Sequence, residues 1–204
     1  MFAVIFEVQP KADRWDDYLN FAKQLRPKLV ATDGFIDNER FKSRRTEGRL
    51  LSLSIWRDEK SVVRWRTHGE HHGVQEKGRF EVFEDYHLRV GEIVADSDTA
   101  SLPQQRLDET EIGAAKRVTI TELAAPADAA QFGLDAKAAG LIDHEVFESI
   151  TTEGKLLLLA AWRDDAAADA FTPRATRHRR VRIVRDYGMF ERREAPQYYP
   201  DVKR

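Results

Sequence analysis

Residues 34–58 recur at 140–164 under a constant offset of 106, and 15 of the 25 positions are identical. Shared secondary structure alone does not give that level of identity. The chain therefore carries an internal duplication, and whatever fold the first copy makes is made twice. The unit is organised around the run from Leu50 to Trp56, where Leu51, Leu53 and Ile55 alternate with serines, the period of a strand with one buried face. Asp58 follows where a helix would need its first N–H groups capped, and Val62 and Trp65 then share one helical face. At the same offset His72 falls on His178, and after a five-residue deletion Asp85 and Tyr86 fall on Asp186 and Tyr187.

The elements around this run complete one unit. Residues 2–8 are rich in β-branched and aromatic side chains, with Pro10 as a stop. An amphipathic helix is predicted over 13–30, with Pro27 bending or shortening its last turn. Strands come next at 35–41 and 50–56, joined through the turn at Thr46 to Gly48, and a closing strand is predicted over 80–90. Strand, helix, strand, strand, helix, strand is the βαββαβ order of a ferredoxin-like fold. The expected class is α+β: two tandem ferredoxin-like domains with antiparallel sheets, at 1–95 and 117–204, separated by a polar linker at 96–116. The second copy is thinner. Its first helix is replaced by the alanine-rich stretch 126–139, Trp65 becomes Phe171, and Thr172 and Pro173 break the helix beyond it. That copy reads as a structural partner for the first.

Composition removes several function classes. The 204 residues suit two units that each bury a core. With 33 Lys and Arg against 35 Asp and Glu, the chain lacks the basic excess of a nucleic-acid binder. The basic run from Arg174 to Arg185 alternates with Val181 and Ile183, as a half-buried strand does. The absence of cysteine excludes disulfides, thiolate nucleophiles and cysteine-held metals. The apolar start reaches Glu7 with no basic region before it, so it is read as a strand rather than a signal or membrane span, and a cytoplasmic protein is expected.

Gly34, Phe35, the strand ending in Trp56, Arg57 and Asp58, then Trp65, His72, Gln75, Gly78, Arg79 and the Phe83 to Tyr86 segment resemble the antibiotic biosynthesis monooxygenase family of the dimeric α/β-barrel superfamily. The resemblance covers residues 2–93 well and 117–192 more weakly. It implies that the two sheets pair into an α/β barrel, here within one polypeptide, with a pocket between sheet and helices. Family members include oxygenases that act on polycyclic phenols with dioxygen and no metal or flavin, and enzymes that bind and open heme. The cofactor-free oxygenases are associated with an Asn and a Trp four residues apart on the second helix. Trp65 matches the second, whereas the Asn position holds Ser61.

Three functions stay open at this level. The first is a cofactor-independent monooxygenase for a small aromatic or polyphenolic molecule, with Trp65 packed on the substrate, His72 or His71 taking its proton, and Ser61, Tyr86 and Trp56 as binding residues. The others are a non-catalytic ligand-binding or stress-related barrel, and a heme-binding or heme-degrading protein using one of the histidines. His68 and His72, four apart, would share a face if one helix carried both, but no third metal ligand accompanies them, and no metal is assigned. The partners expected are a small-molecule substrate and the other half of the same chain; pairing with a second copy is left open. The tail should either lie over a neighbouring surface through Tyr198 and Tyr199 or stay disordered.

Overall fold

The computed structural model describes residues 1–202. Eight strands, β1 (Phe2–Pro10), β2 (Phe35–Ser43), β3 (Leu50–Trp56), β4 (Phe83–Asp96), β5 (Arg117–Leu123), β6 (Leu141–Ser149), β7 (Leu156–Trp162) and β8 (Arg177–Gly188), close into one barrel. Their order is β1-β3-β2-β6-β7-β5-β8-β4, and every pairing is antiparallel. Each half contributes a ferredoxin-like sheet, and the halves meet at β2·β6 and β4·β8. Closure removes the free edges that either sheet would expose alone. Among the described residues no helix is long and apolar enough to cross a membrane.

Period-two alternation separates two environments. Ala3 and Ile5 of β1, Leu51, Leu53 and Ile55 of β3, and their counterparts Val118, Ile120, Leu157, Leu159 and Ala161 fill the barrel interior as one apolar cluster. The opposite face of β1 and β3 turns outward, to helices α1 (Trp15–Ala31) and α2 (Glu59–Thr67). Helix α1 continues through Pro27 to Ala31, so the proline does not shorten it, and Leu25 and Leu29 of its last turns are buried. Helix α3 (Gly69–Lys77) leads into a wider turn at Gly78–Val82. The closing strand therefore starts at Phe83 and runs to Asp96, later than the predicted 80–90. Gly78 permits this, since a Cβ there would stand 2.4 Å from the Phe83 ring.

The interior also holds a duplicated ionic network that the repeat explains. Glu7, 3% exposed, accepts from Arg49 at 2.7 Å and from Arg89. Its counterpart Glu122 accepts from Arg179 at 2.6 Å and pairs with Lys155 at 2.9 Å. Burial pushes the Glu7 carboxyl up, but Arg89 and Arg49 together outweigh it and hold it below the usual carboxylate range. Lys155 and Arg179 do the same to Glu122. Across β2·β6 the contacts are reciprocal. Ser43 donates to Glu145 as Ser149 donates to Glu39, and Glu145 lies 3.5 Å from Arg49 as Glu39 lies 2.5 Å from Lys155. A two-fold interface between two copies has this form, here made within one chain.

The ladders correct one equivalence drawn from the sequence. Ile5 faces Arg89 on β4 as Ile120 faces Arg179 on β8, so the counterpart of His178 is Leu88, not His72. Past Arg182, β8 leaves β5 behind and pairs only with β4, where Tyr187 stands opposite Leu88. Tyr187 is thus no copy of Tyr86; it has been carried over to the first half.

The second half keeps little helix. A short turn at Ala129–Phe132 and helix α4 (Asp165–Ala170) stand where the first half has α1, α2 and α3, and Phe132, Leu134 and Phe171 pack directly on the outward face of its sheet.

Candidate functional site

A cavity of about 210 Å³ lies between the outward sheet face of the first half and its helices. Val4 and Phe6 of β1 with Leu88 and Val90 of β4 form an apolar floor, and Phe21, Leu25, Val62 and Val74 form much of the roof. The space exists because β3 turns Ser52 and Ser54 toward the helices. The same positions of β7 are Leu158 and Ala160, and there the aromatic side chains close the gap. Asn38 and Arg40 of β2 add polar groups where β6 has His144 and Val146.

Of the residues singled out from sequence, Trp65, His71 and Tyr86 line this cavity together. His71 stacks on Trp65, with ring centroids 4.2 Å apart and 18° between planes. Its Nδ1 lies 2.9 Å from the Trp65 carbonyl oxygen, which can only accept, so Nδ1 carries the proton and Nε2 keeps a lone pair. Burial lowers its pKa to about 4, against the opposing pull of that carbonyl, so the ring is neutral at neutral pH. The Tyr86 hydroxyl accepts from Arg192 at 2.7 Å and from Arg79 at 3.4 Å, which leaves its own proton to donate elsewhere.

The other three lie elsewhere. Ser61 is fully buried in the cap of α2, where its N–H and hydroxyl both donate to Asp58, at 2.8 and 2.7 Å. It sits under the turn at Gly34, whose backbone has φ 84° and whose Cβ, if present, would be 1.9 Å from Ser61 Oγ. Trp56 is fully buried, donates to Ser54 Oγ at 2.9 Å and meets Phe35 edge to face. His72 is on the exposed side of α3, stacked on Tyr199, with Nδ1 3.1 Å from Gln197 Nε2 and 3.2 Å from the Tyr199 hydroxyl. His68 stands at the break between α2 and α3, so it does not share a helix with His72. Among the described residues no cluster of three potential metal ligands forms.

Sequence reasoning missed Asn38 and the contribution of the second half. Asn38 Nδ2 donates to Ser52 Oγ at 3.2 Å and to the Leu53 carbonyl at 3.0 Å, and its Oδ1 is buried without a partner. Arg185 and Tyr187 enter the cavity from the overshooting end of β8. The tail adds Arg192, Gln197 and Tyr199 at the rim and is held by Arg79, 2% exposed, which donates to the carbonyls of Met189 at 2.6 Å and Pro200 at 3.2 Å. Tyr198 points away, 90% exposed.

Comparison with known proteins accords with this architecture. The family model for antibiotic biosynthesis monooxygenase matches residues 1–77. A Pyricularia oryzae protein named "Jasmonate monooxygenase ABM" is 44% identical, over 98% of this chain and 99% of its own length. The chain belongs to the antibiotic biosynthesis monooxygenase family. The relationship supports a monooxygenase of that type. A Bacillus subtilis protein of uncharacterised function is 30% identical over 45% of this chain and 78% of its own. Among solved structures, an anthrone oxidase-like protein is 13% identical with a TM-score of 0.39, covering 96% of each chain. A further antibiotic biosynthesis monooxygenase is 15% identical with a TM-score of 0.42, over 47% of this chain and 100% of its own.

Proposed function

We propose that this member of the family oxygenates a small, largely apolar molecule with dioxygen in the cavity of the first half, without flavin or metal. The observation that carries the reading is the neutral, tautomer-fixed His71 stacked on Trp65 inside an apolar enclosure. In a reaction without cofactor the substrate supplies the electrons, as a phenolate or enolate. Oxidation of an activated CH₂ to a carbonyl then balances with one oxygen atom retained and the other leaving as water with the two hydrogens. The protein must bind the substrate, hold its acidic proton and exclude bulk water.

We assign the proton-holding role to His71 rather than His72, because His71 lines the cavity with its Nε2 lone pair uncommitted, whereas His72, exposed and stacked on Tyr199, is not part of that lining. An anion brought beside His71 raises its affinity for a proton, which is the direction the reaction requires. Trp65 would pack on a flat substrate, the Tyr86 hydroxyl would donate to its oxygen, and Asn38 Oδ1 would accept from a hydroxyl. The Pyricularia oryzae relative is named for jasmonate, an organic carboxylate, so jasmonate belongs beside polyphenols and anthrones among the substrates to try.

The test is oxygen uptake by protein freed of metal and flavin across that panel, with a heme titration in parallel. Uptake that is lost in His71→Gln and kept in His72→Gln is expected. A heme Soret shift without uptake, or uptake that depends on His72 alone, would overturn the assignment.

A further inference from the structure

The cavity carries more positive charge than its walls neutralise. Arg40, Arg66, Arg185 and Arg192 all line it, against a single lining carboxylate among the described residues, Glu59, which already accepts from Arg106 at 2.5 Å. Arg192 is engaged by the Tyr86 hydroxyl and by the Gln197 carbonyl at 2.9 Å, and Arg40 lies beside the Tyr18 hydroxyl. Arg66 and Arg185 are different. Neither pairs with any carboxylate among the described residues, and Arg66 Nε is buried without a hydrogen-bond partner. Asp108, which feels the charge of Arg185, is gripped by two nitrogens of Arg106. Both line the cavity together with the buried Tyr187.

Cations held at an apolar wall without counter-charge raise the energy of the empty protein, and a ligand anion removes that penalty. Guanidiniums suit a carboxylate, since each offers parallel donors to its two oxygens. We propose that Arg66 and Arg185, which line the cavity together with Tyr187, anchor the carboxylate of an otherwise apolar substrate. The proposal rests on the cavity being the substrate site and adds the class of molecule it takes. It also gives the second half a direct part in binding. Arg185 and Tyr187 reach the cavity only because β8 runs past β5 onto β4, so the site is incomplete without the half whose own outward sheet face is filled by Phe132, Leu134 and Phe171.

The experiment is calorimetric binding of decanoate, methyl decanoate and decanol to the full chain, wild type and with Arg66→Met, Arg185→Met and Arg66→Lys. Decanoate is expected to bind about ten- to a hundredfold more tightly than the ester or alcohol. Either Met variant should remove that preference while leaving the affinity for ester and alcohol in place. Arg66→Lys should keep part of it, and the melting temperature of the free Met variants should not fall. Equal affinity for acid and ester, no binding of decanoate, or Met variants that weaken all three ligands alike would overturn the proposal. Turnover plays no part in this readout, so a carboxylate preference without oxygen uptake would sink the oxygenase reading and leave the anchor standing.

Discussion

Acidification should unfold this protein partly through one imidazole. Burial against Trp65 takes His71 to about 4, against an ordinary 6.5 in the unfolded chain. Because the folded-state pKa is the lower one, the unfolded state binds the proton more readily between these values. Stability is therefore full above the unfolded pKa and is lost as pH falls through that window toward the folded one. At 1.36 kcal/mol per unit the whole shift is worth about 3 kcal/mol. Integrated between pH 7 and pH 5, where the unfolded chain protonates and the native ring does not, the loss is about 2 kcal/mol. The assay is urea unfolding followed by tryptophan fluorescence at both pH values, in wild type and in His71→Gln, whose amide can still donate to the Trp65 carbonyl. The variant cancels the contributions of every other titrating group, so the difference of differences isolates His71. A variant with the same pH dependence as wild type, or an imidazole that titrates near 6.5 by NMR in the native protein, would refute the reasoning.

Three further outcomes are expected from the fold. Glu7→Gln leaves Arg89 and Arg49 facing a neutral amide in the barrel, and a cost of about 3–5 kcal/mol in chemical unfolding is expected; a change near zero would remove the network from the stability account. Gly34→Ala should destabilise clearly more than Gly133→Ala. Both positions have positive φ, but only at Gly34 would the new Cβ meet a buried side chain, and backbone strain alone costs about 1–3 kcal/mol. Tyr199→Ala removes the stack on His72 at the rim, so ligand dissociation measured by stopped flow should quicken; unchanged dissociation would show that the tail does not close the mouth.

Much of the fold was legible because its signals are local and repeated. The alternation of Leu51, Leu53 and Ile55 with serines fixed which face is inside, and the offset of 106 between copies turned one ferredoxin-like unit into two. The last strands were not legible. Identity of the Asp-Tyr pairs suggested equivalence of Tyr86 and Tyr187, but register is set by partners on β1 and β5, and both closing strands overrun those partners. Part of the site was visible in Trp65 and its neighbour His71. Ser61 misled because helical spacing places a residue on a helix without saying that a cap and Gly34 will bury it. The clearest unread signal lay in the strands themselves. Ser52 and Ser54 against Leu158 and Ala160, and Arg40 against Val146, mark which copy keeps room for a ligand.

The central claim is that one cavity, in the first half but completed by the second, is the oxygenation site. The most direct measurement supplies isotopically labelled dioxygen to metal- and flavin-free protein with whichever substrate supports uptake, and tracks the label in product and water. Wild type is compared with Trp65→Ala and with Phe171→Ala, its counterpart in the filled second half. One labelled atom in the product and one in water is expected, with the reaction abolished by Trp65→Ala and retained, per folded molecule, by Phe171→Ala. Unlabelled product, or equal loss in the two variants, would contradict the account.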